Sequence, residues 1–150
     1  MSHLIRELKF RGRLANARLL GDLMAGALAA SAAPPPDLIV PVPLHPARQR
    51  RRGFNQAVEL ARPVSVRLGI PLAPSLCRRV RNTAPQSQLD GSYRRRNVRR
   101  AFAIAAASPP RVAIVDDVMT SASTVAALAA VLRRGGARRV EVWVCARASG

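Results

Sequence analysis

The sequence predicts an α/β fold, a mostly parallel sheet flanked by helices. Three observations lead there. The last third of the chain reads as strand, polar turn, helix, strand, a βαβ unit whose crossover implies parallel strands. An earlier apolar run, Leu38-Ile39-Val40-Pro41-Val42, reads as a second buried strand and is followed by another amphipathic helix. The chain has 150 residues and is 49% hydrophobic, enough for one domain with a packed core and no covalent staple.

The elements follow in order. Leu4, Ile5 and Leu8 have helical spacing, and Gly12 ends that segment. Residues 14–30 repeat the pattern through Leu19, Leu20, Leu23, Met24, Ala27 and Leu28, predicting a second amphipathic helix. Residues 31–36, rich in proline, break it. The strand at 38–42 ends at Pro43, and the polar, arginine-rich residues 44–53 are expected as a loop. Asn55 is placed to cap a helix reaching Leu68, with Val58, Leu60, Ala61 and Val64 inward. Pro63 inside that helix predicts a kink or an early stop. Residues 70–72 and 76–80 are expected as short strands. Residues 82–100 hold few apolar side chains and many arginines, which predicts a long mobile loop of the kind that closes over sites. Strands are expected at 101–105, 112–115 and 140–145, and a helix at 122–132 closed by Gly135-Gly136.

Composition narrows the function classes. Cys77 and Cys145 lie far apart with no neighbouring His or Cys, which fits neither a zinc site nor a disulfide framework. Both are expected as buried thiols. The first residues alternate charge too soon for a signal peptide. Residues 19–33 are too short and too alanine-rich to span a bilayer, and Asp22 interrupts them. A cytoplasmic protein is expected. The formal charge is +17, and Lys9 is the single lysine. A field of that size attracts polyanions, but alanine and arginine dominate everywhere, so charge alone does not choose one.

The informative segment is Val112-Ala113-Ile114-Val115-Asp116-Asp117-Val118-Met119-Thr120-Ser121-Ala122-Ser123-Thr124. The chain has eight acidic residues, and two adjacent ones fall here, where a buried strand ends and small hydroxyl residues open a helix. In parallel α/β sheets ligands sit beyond the carboxyl ends of strands. Amides at the start of the next helix point outward, and the helix dipole favours an anion there. The hydroxyls of Thr120, Ser121, Ser123 and Thr124 add donors. Carboxylates touching that phosphate would repel it, so they suit a step away, accepting from sugar hydroxyls or near Mg²⁺. A phosphorylated ribose has this layout. Phospho-receiver domains share a strand ending in two aspartates, but they need a further Asp and a Lys, and neither occurs after Asp117.

In order and spacing these residues resemble the phosphoribosyl-pyrophosphate (PRPP) signature of type I phosphoribosyltransferases. Ala122 stands where glycine is usual and Ser121 where threonine is usual. A left-handed backbone at Ala122 would be strained. The rest of the chain narrows the resemblance. Ile39-Val40-Pro41-Val42-Pro43-Leu44-His45-Pro46, Arg51-Arg52-Gly53-Phe54-Asn55-Gln56, Thr83-Ala84-Pro85-Gln86-Ser87, and Arg95-Arg96-Asn97-Val98 before Ala101-Phe102 are similar to the ComF family. That family includes competence and GntX-like proteins. Its members usually begin with a cysteine-rich zinc-binding segment. This sequence lacks one, so it reads as a shortened member or one whose start lies upstream, and no zinc ligands are expected.

The resemblance implies a type I phosphoribosyltransferase fold as one domain over 1–150, with a helical hood at 1–33 and a PRPP-binding core at 37–150. Asp116 and Asp117 would hold the ribose diol and serve as the catalytic pair. Val118, Met119, Thr120, Ser121, Ala122, Ser123 and Thr124 would cradle the 5-phosphate. Arg52, Gly53 and Asn55 would meet the pyrophosphate. The mobile lid would carry Gln86, Ser87, Arg95, Arg96 and Asn97, and Mg²⁺ would arrive with the substrate. The implied activity is glycosyl transfer: ribose 5-phosphate passes to an unidentified acceptor, a nucleobase among the candidates, with pyrophosphate released. Two alternatives stand beside it. One is a DNA-uptake protein that binds DNA through arginine clusters at 48–52, 94–100 and 133–139. The other is a non-catalytic PRPP sensor. Monomer and dimer both remain open.

Overall fold

The computed structural model describes residues 14–82, 100–119 and 122–147. Three parallel strands form its sheet: β1 (Leu38–Pro41), β4 (Arg111–Met119) and β5 (Arg139–Arg147), with β4 in the middle. Leu38 pairs with Val112 and Pro41 with Val115, while β4 pairs with β5 from Arg111–Arg139 to Met119–Arg147. Leu72 adds one parallel bridge to Ile39 on the outer edge of β1, in place of the short strand expected at 70–72. A separate antiparallel ribbon joins β2 (Cys77–Arg79) to β3 (Phe102–Ile104).

Alternation along the strands sends side chains to two faces. On one face Val40, Val112 and Ile114 pack with Cys77 and Phe102 of the ribbon and with Val125, Leu128 and Leu132 of α4 (Ser123–Arg134). On the other, Ile39, Ala113, Val115 and Trp143 meet α1 (Leu14–Ala29) and α3 (Gln56–Leu68). Together these make the helix-covered parallel sheet that the pattern predicted.

Four expectations need correction. Residues 46–52 are a helix, α2 (Pro46–Arg52), not a loop. It has no buried residue, so apolar periodicity could not reveal it. Its ends define it: Pro46 occupies the first turn, the His45 Nδ1 accepts from the Ala47 amide at 3.2 Å, and Gly53 closes it at φ 79°. His45 is thus a cap. Pro63 neither stops nor splits α3, which runs on to Leu68 and ends at Gly69 (φ 66°). Residues 112–115 are only the first half of a strand that continues to Met119. Finally, α1, within the region expected as a hood, packs on the core: its small buried residues Ala17, Gly21 and Ala25 let it press onto α3. Residues 1–13 and the expected lid, including Gln86, Ser87, Arg95, Arg96 and Asn97, lie outside the described residues.

Candidate functional site

The topology marks one crevice. After β1 the chain passes through α2 and α3 to Leu72, on the outer side of β1. After β4 it passes through α4 to β5, on the far side of β4. Connections from two neighbouring strands therefore leave in opposite directions, and a parallel sheet opens a cleft at that point. The Val42 amide donates to the Val115 carbonyl at 2.9 Å, the last bond between the strands. Asp116 is the first β4 residue beyond it.

The two aspartates part company here. Asp116 continues the row of Val112 and Ile114 and is half-buried. Its Oδ1 accepts from the Asp117 amide at 2.8 Å. Asp117 is 3% exposed, and its Oδ1 accepts from the Val118 amide at 2.8 Å. Asp116 is thus the carboxylate with access to the crevice, whereas Asp117 is held inside the strand end. The two aspartates expected to act together thus differ in burial. Both lie near Cys145, whose thiol is pushed up to about 11 by burial and then by the charges of Asp117 and Asp116.

Val118 and Met119 are partly buried at the end of β4. Thr120 and Ser121 lie outside the described residues. Ala122 follows with φ −67° and ψ −4°, an ordinary right-handed backbone, so the strain expected from its Cβ is absent. No side chain caps α4 at this end, and no acidic residue sits in its first turn. Ser123 and Thr124 open the helix and are partly buried. The twelve-residue helix α4 therefore begins at Ser123, seven residues after Asp116 in the chain.

The connection after β1 forms the opposite wall. Asn55 is buried, and its side chain is committed at both ends: Nδ2 donates to the Val42 carbonyl at 3.1 Å, and Oδ1 accepts from the Ala57 amide at 3.0 Å. It fastens the loop to the strand and caps α3. Arg52 is exposed and donates to the Gln56 Oε1 at 2.9 Å. Gly53 owes its identity to φ 79°, since a Cβ there would meet nothing within 4 Å.

Sequence reasoning passed over Arg79. It lies directly opposite Phe102 in the ribbon, with its guanidinium carbon 5.5 Å from the ring centroid. Burial lowers its pKa first, the nearby charge of Arg48 lowers it further, and Asp116 opposes both. A signal was present: on a strand, Arg79 shares a face with the apolar Cys77, two residues away. Among 25 basic residues it did not stand out.

No family model matches the chain. The DNA utilization protein YhgH of Salmonella typhi is 41% identical over 98% of this chain and 67% of its own length. Competence protein F of Haemophilus influenzae is 41% identical over 75% of this chain and 51% of its own length. Among solved structures, glutamine PRPP amidotransferase from B. subtilis matches 86% of this chain and 26% of its own, with a TM-score of 0.57 and 22% identity. A purine phosphoribosyltransferase from Pyrococcus horikoshii matches 87% of this chain and 81% of its own, with a TM-score of 0.51 and 15% identity. The fold is that of the phosphoribosyltransferases, and by its sequence the chain belongs to the ComF family, with the DNA utilization and competence F proteins.

Proposed function

We propose that this protein binds PRPP in the crevice between β1 and β4 and transfers its ribose 5-phosphate to an acceptor. One observation carries this reading. A half-buried carboxylate, Asp116, and the amino end of α4 belong to one β4–α4 connection, at a point where strand connections diverge. A diol accepted by Asp116 and a phosphate on the α4 amides would use both features at once. In transfer, the bond from C1 to the pyrophosphate oxygen breaks and its electron pair leaves with the diphosphate. The acceptor's lone pair then forms the new bond at C1. Positive charge develops on the sugar ring, and a carboxylate holding the diol, as Asp116 would, favours it.

Mg²⁺ fits as a companion of the substrate. Asp116 can supply one carboxylate oxygen while water and the diphosphate supply the rest, and the ion would neutralise charge on the leaving group.

The test is calorimetric titration with PRPP and Mg²⁺, followed by a screen of nucleobases for pyrophosphate release. Saturable binding that falls at least tenfold in Asp116→Asn is expected. Absence of PRPP binding in the wild-type protein would reject the reading. Binding without turnover across acceptors would favour a sensor.

A second reading has its own support. Arg133, Arg134, Arg138 and Arg139 are all exposed around the carboxyl end of α4 and the start of β5, at the sheet edge opposite the crevice. Arg139 is paired with Glu141 at 3.1 Å. Such an edge suits the backbone of DNA, and binding there would weaken steeply with salt. Removing these four charges together should flatten the slope and leave PRPP affinity unchanged.

A further inference from the structure

One edge of β5 pairs with β4, and among the described residues no strand pairs with the other. The strand is nine residues long, holds no proline, and keeps one register with β4 from Arg139 to Arg147. Its charged side chains, Arg139, Glu141 and Arg147, stand toward its two ends, and residues 142–146 between them are apolar. Such an edge pairs with other chains unless something blunts or covers it.

Both faces of the edge are apolar. On one, Trp143 and Cys145 form an open groove of about 550 Å³ with Leu20, Leu23, Met24 and Leu28 of α1, and Leu23 is 57% exposed. On the other, Val142, in register with Ile114, is 39% exposed. A helix laid in the groove would cover only the first face. A strand added along β5 would cover both, because its side chains alternate, and it would pair the free backbone as well. Charge selects the occupant. Among the described residues no carboxylate lines the groove, and Glu141 beside it is bridged to Arg139 at 3.1 Å and accepts from the Trp143 indole at 3.3 Å. Arg147 lines one end of the groove and is exposed, and Arg138 is exposed just before the other end of β5. A second copy would bring the same charge of +17 and be repelled, whereas an acidic segment would be attracted.

We propose that β5 is a docking edge for another protein, which adds an extended segment as a fourth strand of the sheet. The segment alternates apolar and polar residues at its centre and carries carboxylates at both ends, where they meet Arg147 and Arg138. Its apolar side chains enter the groove beside Leu23 and Trp143. A partner strand matching the nine residues of β5 spans about 27 Å. This edge is separate from the crevice between β1 and β4, and docking here requires no PRPP.

The probe is a panel of labelled nine-residue peptides with two carboxylates at each end and a centre alternating Val, Ile, Leu or Phe with Thr, titrated onto the full chain by fluorescence anisotropy. At least one should bind saturably, and at least tenfold more tightly than a peptide with the same ends and a Gly-Ser centre. Methylating every second backbone nitrogen of the peptide should abolish binding in one phase and spare it in the other, because an added strand turns alternate amides toward β5. Val142→Lys should weaken binding at least tenfold and leave PRPP affinity unchanged. No binding by any peptide overturns the proposal. Equal affinity for the Gly-Ser centre also overturns it, since charge alone then suffices, as do equal effects of the two methylation phases, which rule out strand pairing. A wild-type dimer that Val142→Lys dissociates assigns the edge to a second copy and overturns it too. If Val142→Lys does not fold, the peptide comparisons on the wild-type protein decide.

Discussion

Pro63 of α3 lies against Gly21 of α1, where a Cβ would collide with the proline ring and stand 2.6 Å from the Leu60 carbonyl oxygen. The contact explains how α3 tolerates an internal proline. The ring fills a notch in the neighbouring helix that only a residue without a side chain provides. Gly21→Ala should destabilise the protein by about 1–3 kcal/mol, the usual range for overpacking. Gly26, on the same helix, is the control. Its nearest neighbour for a Cβ is the Arg67 guanidinium at 4.0 Å, so Gly26→Ala should be neutral or gain up to about 1 kcal/mol. Chemical denaturation of the two variants checks the difference, and equal stabilities would contradict the packing.

What was legible in the sequence follows from which forces leave a pattern. The strand at 38–42, the helix capped by Asn55 and the closing βαβ unit announced themselves through buried apolar runs and a cap, and they stand within a few residues of expectation. Helix α2 has no buried face and was missed, although His45, Pro46 and Gly53 mark both of its ends. The acidic pair was visible, but the difference in burial within it was not. Asp116 and Asp117 are identical in sequence, and only the register of β4 decides that one is half-buried and the other inside. Arg79 was hidden because its contact with Phe102 is long-range in the chain.

Asn55 links the strand end to α3 through two bonds from one side chain. Asn55→Ala removes the cap and leaves the buried Val42 carbonyl without this donor, for a loss of about 2–4 kcal/mol. Asn55→Asp keeps an acceptor for the Ala57 amide but faces the Val42 carbonyl with an oxygen, so it should remain clearly less stable than wild type. Thermal melts rank the three. An aspartate variant as stable as wild type would show that the bond to Val42 contributes little.

Cys77 sets an alkaline limit. Burial pushes its thiol from 9.0 up to about 11, so the folded chain holds the proton after the unfolded chain has released it. Between pH 9 and 11 the native state therefore binds more protons than the unfolded state. Stability falls as pH rises through that window and is unaffected below it. Two units correspond to roughly 2.7 kcal/mol at most. Cys145 is raised by a similar amount, so the comparison must isolate Cys77. Denaturation of wild type and Cys77→Ala at pH 8 and pH 11 does so. The variant should lose less stability over that interval, and identical losses would refute the assignment.

Ala122 supplies the last test. The phosphoribosyltransferase pattern favours glycine here, which suggests that Ala122→Gly would sharpen the phosphate cradle. The structure argues the reverse. With φ at −67° the alanine is unstrained, and its exposed side chain obstructs nothing in the described core. Glycine would relieve no strain and would add backbone freedom to the unfolded chain and to the start of α4, at a cost of up to about 1 kcal/mol. Ala122→Gly should therefore melt slightly lower and bind PRPP no more tightly than wild type. An affinity gain of threefold or more would mean that the turn adopts a left-handed backbone when occupied, and that Ala122 opposes this rearrangement.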